Sequence, residues 1–387
     1  MVTQAVKELW TLFPAEQYRT LRERQPVYFD PRMRMWLVSR YDEVWQVFSD
    51  HATFSSGAPA GSSKPAQPSI LGMDPPRQRQ LRNIVAQAFT PRVIERLAPR
   101  INEIVNTLLD QVSKRGHIDI IHDLAYPLPV TVIATLLGVP TQDRELFKRW
   151  SDNLVTGYIR SFTPEIMQKR HENLRALDTY FTQAIEEHRQ RPQDDLIGAL
   201  LQAEVDGQHL SQQELLDFCR LLLIAGHETT TNLIGNAVLC FSAHPQAMQD
   251  LRADPSLTPG AIEEVLRFLP SVQGGNRITK QETTLGGQHL AQGEVVLALA
   301  ISAHYDAAQF PDPERFDIRR EPNRHLAFGY GIHFCLGAAL ARLEARLALQ
   351  ALLQRFPNLR REPGSPLEPI TSPFVIGVKH LPMIFDL

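Results

Sequence analysis

From Ser211 to Pro245 the chain contains no helix breaker except Gly226 and Gly235, and this stretch restricts the fold more than any other. Ser211 and Glu214 have the spacing of a capping box, in which two side chains satisfy orphan backbone N–H groups at a helix start. The apolar pattern then continues to Pro245, which predicts a helix of roughly thirty residues and about 45 Å. An element of that length crosses a whole domain, so a chain built around it is mainly α.

The remaining elements follow from local signals. Thr258-Pro259 reads as an N-cap with proline at the first helical position, opening a second helix that stops before Pro270. A last long helix begins just after Cys335 and ends near Arg355, before Pro357. Strand signals are few. Val27 to Phe29 and Trp36 to Val38, around Asp30-Pro31, predict a hairpin, and Leu285 to Gly287 and Val295 to Ala300 add short strands. Ser55 to Ser69, rich in Ser, Ala, Gly and Pro, is a long loop, either a lid or plain surface. The expectation is a mainly α fold with a small β-sheet region, in a single domain over residues 1–387.

Composition narrows the function. With 40 Lys and Arg against 43 Asp and Glu in 387 residues, the net charge of −3 argues against a nucleic-acid binder. The three cysteines, Cys219, Cys240 and Cys335, form no CxxC pair, which argues against a disulfide framework or a cysteine zinc site. The N-terminal run MVTQAVKELWTLF carries charges and is too short in apolar residues for a signal peptide or membrane span. A cytoplasmic protein with no membrane contact is expected.

Phe328-Gly-Tyr-Gly-Ile-His-Phe-Cys335-Leu-Gly337 sets three glycines, a histidine and phenylalanines at fixed spacing around one cysteine. Here the sequence resembles the cytochrome P-450 family. The resemblance implies haem b, with Cys335 as axial ligand of the iron, and a long central helix over the haem. The chemistry fits those residue types. A following helix start offers positive dipole and N–H groups to a thiolate, and Gly329 and Gly337 allow close approach of backbone to sulfur and macrocycle. Phe328 packs beside the ligand. Cys219 and Cys240, inside the long helix, read as inert buried thiols.

Ala225-Gly-His-Glu-Thr-Thr230 is similar to the family's oxygen-activation motif. Ala225 and Thr229 share a helix face, small residues at 225 and 226 leave room for O2, and the acid Glu228 precedes the hydroxyl of Thr229. O–O cleavage takes two protons at the distal oxygen, so a positioning hydroxyl and a relaying carboxylate are the required groups. His227 reads as a core or surface residue. Glu264-Val-Leu-Arg267 resembles the family's ExxR pair, with Arg315 joining it to brace the cysteine loop. By resemblance Arg82, Arg277 and His333 anchor the haem propionates. Gln78 stands where many bacterial members carry a histidine; it gives a weaker, uncharged anchor or is replaced by Arg79. Tyr330, where another histidine is common, is expected to carry no chemistry.

The resemblance implies a monooxygenase acting as a monomer. With no flavin or nicotinamide domain in the sequence, electrons from NAD(P)H must arrive through a ferredoxin or flavodoxin and its reductase. Arg77, Arg79, Arg342 and Arg346 are candidates for docking that partner or for a plain basic face. A medium-sized apolar substrate is expected in a pocket drawn from Ser69 to Leu71, Val155 to Ile159, Leu222, Leu223, Ser271 to Gly274 and Ser372 to Val375. A peroxide-driven or isomerising haem-thiolate enzyme needs no proton relay, so Glu228 and Thr229 speak against it. A haem-based sensor or carrier would keep the cysteine without the acid–threonine pair.

Overall fold

The computed structural model describes residues 3–57, 69–143, 146–147, 149–150, 164–204, 207–372 and 374–387. Its longest helix is the expected one, Gln212–Ala243, with both halves of the capping box formed by Ser211 and Glu214. At 32 residues it is about 48 Å long. Every residue from Thr230 to Phe241 is buried, whereas Ala225 is exposed and Glu228 and Thr229 are half-buried. The middle of the helix therefore borders a cleft, and its C-terminal half runs through the core.

Gly226, half-buried beside Ala225, also has a packing role. A Cβ there would stand 2.7 Å from Cδ1 of Ile133, so the glycine serves close packing against helix Pro127–Leu136. Helix Ala338–Arg355 packs on the central helix and also touches helices Ala98–Val112 and Thr258–Phe268. One apolar cluster, from Val6 to Phe385, joins these elements. Thr258 is not the N-cap. The 3-10 turn Pro255–Leu257 runs straight into the helix, so Leu257 takes that position, and the Thr258 hydroxyl donates to the Pro255 carbonyl at 2.8 Å.

The predicted hairpin, Val27–Asp30 against Met35–Val38, forms one end of a five-stranded sheet. Met35–Val38 lies parallel to Val295–Ala298, which pairs antiparallel with Gly275–Thr279, and Phe54–Ser55 closes the other end. A second apolar cluster, with Val38, Phe48, Phe54 and Val296, supports this sheet. Thr283–Leu285 pairs with Gln288–Leu290 across Gly286-Gly287, so the glycines predicted to end a strand form its turn. A three-stranded sheet joins His117–Asp119, Pro382–Ile384 and Arg360–Arg361. Most of the long loop read from Ser55 to Ser69 lies outside the described residues.

Candidate active site

The cysteine segment is a backbone-locked loop. The Cys335 N–H donates to the Phe328 carbonyl at 2.9 Å, and Gly329 and Gly331 both hold φ of 70°, a region that glycine enters without steric cost. At Gly331 a Cβ would also stand 2.9 Å from the Phe48 carbonyl oxygen. Helix Ala338–Arg355 follows directly, with Gly337 as N-cap. Cys335 is exposed, while Cys219 and Cys240 are fully buried in the central helix as expected. Surrounding protein pushes the Cys335 thiol up, and the Gly337 N–H, Arg82 and Arg342 pull the other way by favouring the thiolate. Burial, with a smaller push from Asp195 that Arg220 partly offsets, raises Cys219 to about 12, which makes it inert.

Two ionic groups brace this loop. Glu264 and Arg267, both fully buried, pair through two 2.8 Å hydrogen bonds. The second arginine at Glu264 is Arg320, at 3.2 Å, and not Arg315. Arg315 turns outward to Asp317 with 68% of its side chain exposed, and only its backbone carbonyl accepts from Arg267 and Arg320. The segment is irregular, so no helical spacing fixes which arginine turns inward; Asp317 captures Arg315, and the chain brings Arg320 back. Asn323 and the Asp317 N–H complete the shell of Glu264.

The neighbouring Glu263 takes a bidentate pair from Arg342, both bonds at 2.7 Å, and a 3.0 Å contact from His325. Burial raises this carboxyl, and the bonds and charges of Arg342 and His325 outweigh it and hold it at about 2. The Arg342 guanidinium lies 4.5 Å from the centroid of the Phe328 ring. Phe328 thus stands beside the cysteine, as expected, and is clamped from behind. Neither Glu263 nor His325 was singled out from sequence; an acid next to Glu264 is the signal that could have found the first.

Arg82, Arg277 and His333 come together. Burial first, and then the charges of Arg277 and Arg82, together lower His333 to about 4, with only partial relief from Asp74. Asp74 is already engaged by Ser55, the Ser56 N–H and Lys280. His333 Nε2 is buried and has no hydrogen-bond partner among the described residues. Arg82 donates to the Phe334 carbonyl and Arg277 to that of Asn276, so neither guanidinium meets a carboxylate directly among the described residues. Gln78 is 1% exposed, and its amide donates to the Ile332 carbonyl at 2.8 Å, propping the loop one residue before His333. Arg79 is exposed and forms no hydrogen bond among the described residues.

On the central helix, the Thr229 hydroxyl donates to the Ala225 carbonyl at 2.8 Å. Such a bond competes with the helix ladder and leaves the hydroxyl lone pairs free to accept. Burial, with no ionic partner among the described residues, raises the pKa of Glu228. His227 is a core residue against Tyr126, lowered by burial to about 4. Further along the same face, Asn236 donates to the carbonyls of Leu269 and Ile376, both at 3.1 Å, pinning the helix to the proposed lining segments. Those segments pair with each other: Val272 bridges Val375, and the Gln273 N–H donates to Phe374. Ser69 and Ile70 line a small cavity with Leu81, Val85 and Leu221. Leu223 is fully buried in the core and cannot line the pocket, while Leu222 is half-buried; Val155 to Ile159 lie outside the described residues.

Three of the four docking arginines are already paired, Arg77 with Glu214, Arg342 with Glu263 and Arg346 with Glu95. Tyr330 packs on Trp45.

These residues fit a haem. One accessible cysteine has an N–H aimed at its sulfur, nothing lies within 4 Å of where a Cβ of Gly337 would stand, and the buried nitrogen of His333, unpartnered among the described residues, sits with two arginines where two carboxylates would be received. The comparisons agree. The Cytochrome P450 family model matches residues 26–385. Cyclomarin C epoxidase CymV of Salinispora arenicola is 40% identical over 95% of this chain and 94% of its own length. Cytochrome P450 109 of Bacillus spizizenii is 41% identical over 96% and 92%. The crystal structure of CYP109E1 from Bacillus megaterium with corticosterone superposes with a TM-score of 0.91 at 42% identity, covering 97% of this chain and 99% of that one. No described helix is long and apolar enough to cross a membrane. The chain belongs to the cytochrome P450 family of haem-thiolate monooxygenases, which activate O2 with electrons from a redox partner.

Proposed function

We propose that this chain hydroxylates or epoxidises a medium-sized apolar molecule of steroid-like dimensions, with Cys335 as the axial thiolate. The observation that carries the reading is Cys335 itself, the accessible cysteine, held by Phe328 and receiving the Gly337 N–H. When bound, haem with a thiolate ligand supplies O2 activation by pushing electron density through its iron. Arg82 and Arg277 carry the positive charge for the propionates, and His333, held neutral, adds a donor. Glu228 is poised to carry protons because burial favours its neutral form. Thr229 positions the receiving oxygen and hands on the proton when its bond to Ala225 switches.

CYP109E1 was crystallised with corticosterone, and CymV is a cyclomarin C epoxidase. The paired Val272 and Val375 offer apolar side chains suited to a substrate of that kind. Electrons come from a ferredoxin or flavodoxin with its reductase, docked through Arg79, whose charge is unspent, in place of the three paired arginines. The protein acts in the cytoplasm, as one domain and a monomer.

Two measurements test this. The reduced protein under CO should show the red-shifted Soret band of thiolate ligation, lost in Cys335→Ser; an imidazole-type spectrum in the wild type overturns the assignment. With a redox chain and a substrate, Thr229→Ala should divert much of its NAD(P)H to hydrogen peroxide, while Glu228→Gln slows turnover. Wild-type rate and coupling in both variants would remove the proton relay and favour a peroxide-driven enzyme.

A further inference from the structure

Outside the haem site, Asp119, His122 and His380 meet at the three-stranded sheet, each offering a ligand atom, with all three atoms within 4.8 Å of one another. The carboxylate is fixed in advance. Its Oδ1 accepts from the N–H groups of Ile121 at 3.0 Å, His122 at 3.4 Å and Leu381 at 3.0 Å, and its Oδ2 lies 3.0 Å from Nδ1 of His380. The imidazoles of His122 and His380 are 4.7 Å apart between centroids and tilted by 45°. Both histidines are exposed, and the ring nitrogens of His122 have no hydrogen-bond partner among the described residues.

We propose that Asp119, His122 and His380 form a binding site for a divalent transition-metal ion of the zinc class. Two imidazoles and a carboxylate are the donor set such ions prefer, whereas Mg2+ and Ca2+ demand mostly oxygen ligands. Two ligands that each lie ~2.1 Å from one ion are themselves about 3–3.5 Å apart. The 3.0 Å separation of Asp119 Oδ2 and His380 Nδ1 therefore matches one edge of a coordination polyhedron. A hydrogen bond explains that edge equally well, but it leaves His122 beside the pair with nothing to do. Two basic residues of the same sheet region are countered, Arg115 by Asp123 at 3.6 Å and Lys379 by Glu368 at 3.8 Å. The ion would tie the segment Ile120–Ala125 to the start of strand Pro382–Ile384, across 261 residues of sequence. Such a clip favours the folded state because the unfolded chain lacks the site.

The test uses untagged, haem-loaded protein, stripped of adventitious metal and dialysed against Zn2+. One zinc per chain beyond the haem iron, with a rise in unfolding midpoint, supports the site. His122→Ala and His380→Ala should each weaken zinc binding by ~10-fold or more and abolish the midpoint rise, with the CO spectrum unchanged. Less than one equivalent in the wild type, equal affinity in the double variant, or displacement by excess Mg2+ overturns the proposal.

Discussion

Beneath Cys335, Glu264 is met by Arg267, Arg320 and Asn323 and Glu263 by Arg342 and His325, whereas on the central helix Glu228 is half-buried with no ionic partner among the described residues. The cysteine side spends its charges on each other and on loop carbonyls, and the result is a ligand held in one geometry. The helix side leaves a carboxyl and a hydroxyl uncommitted, and the result is a pair that can change protonation and partner. Saturated networks give permanence and unsaturated ones give chemistry. The same contrast separates Glu263, held at about 2, from Glu228, raised by burial, although both are glutamates on helices.

The contrast breaks most visibly at Arg267. Removing one partner of a fully buried ion pair leaves an uncompensated charge and typically costs about 3–5 kcal/mol. Arg267→Ala also strands the carbonyls of His304 and Pro313, which the guanidinium now serves, while Arg320 still donates to that of Arg315. Little haem-loaded protein should be recovered, and its denaturant midpoint should fall sharply. Arg320→Ala should cost less, because Arg267 remains on Glu264, and Arg315→Ala should stay within ~0.5 kcal/mol as an exposed side chain. Denaturant melts of the three variants check the order; an Arg315 effect equal to that of Arg320 would restore the pairing expected from sequence.

That misassignment shows where sequence ceases to be informative. Helical spacing placed Glu264 and Arg267 on one face, and the capping box and proline positions set the long helix, because these are local rules with fixed periods. The cysteine loop was legible for a similar reason, since its glycines mark backbone angles and close approaches that other residues resist. Between Pro311 and Asn323 no period operates, and composition alone cannot say which arginine turns inward. Charge partners in space were equally hidden: Arg77, Arg342 and Arg346 look alike in sequence as docking residues, yet each meets a glutamate from a distant segment. The packing role of Gly226 was hidden too, because small size suits a cleft and a tight helix crossing alike.

Glu344 is an exception among the glutamates of the cysteine side. It shares the stripe of Leu340, Leu343 and Leu347, is 1% exposed, and its Oε2 has no hydrogen-bond partner among the described residues. A charge on an apolar stripe was the signal for it. Burial raises its pKa to about 8. The unfolded chain releases this proton near 4.5, so between pH 4.5 and 8 the folded state binds more protons than the unfolded one. Its stability contribution is therefore full below pH 4.5 and is lost as pH rises towards 8, on the order of 3 kcal/mol at pH 7. Glu344→Met should raise the unfolding midpoint at pH 7 and lose that advantage near pH 4.5. Parallel pH profiles for variant and wild type would mean the carboxyl has a partner in solution and the cysteine side is saturated after all.

The smallest expected effect is at Gln78, where the contrast can be sharpened within a single helix. Arg82, four residues on, lies near both Cys335 and His333 and keeps its charge for the cofactor. Arg82→Ala removes a charge-assisted hydrogen bond worth about 1.5–3 kcal/mol, which corresponds to haem loss roughly 10- to 100-fold faster. The Gln78 amide is engaged with the loop, where it holds the Ile332 carbonyl. Gln78→His keeps a donor for that carbonyl and adds no charge at the propionates, so its haem should leave within about twofold of the wild-type rate. Transfer of haem to an apo-globin acceptor, followed for the three proteins side by side, measures both. Markedly slower loss from Gln78→His would put this position at the propionate, as the sequence led us to expect, and equal loss from Arg82→Ala and wild type would show that the helix Arg77–Ala86 supports the loop without anchoring the cofactor.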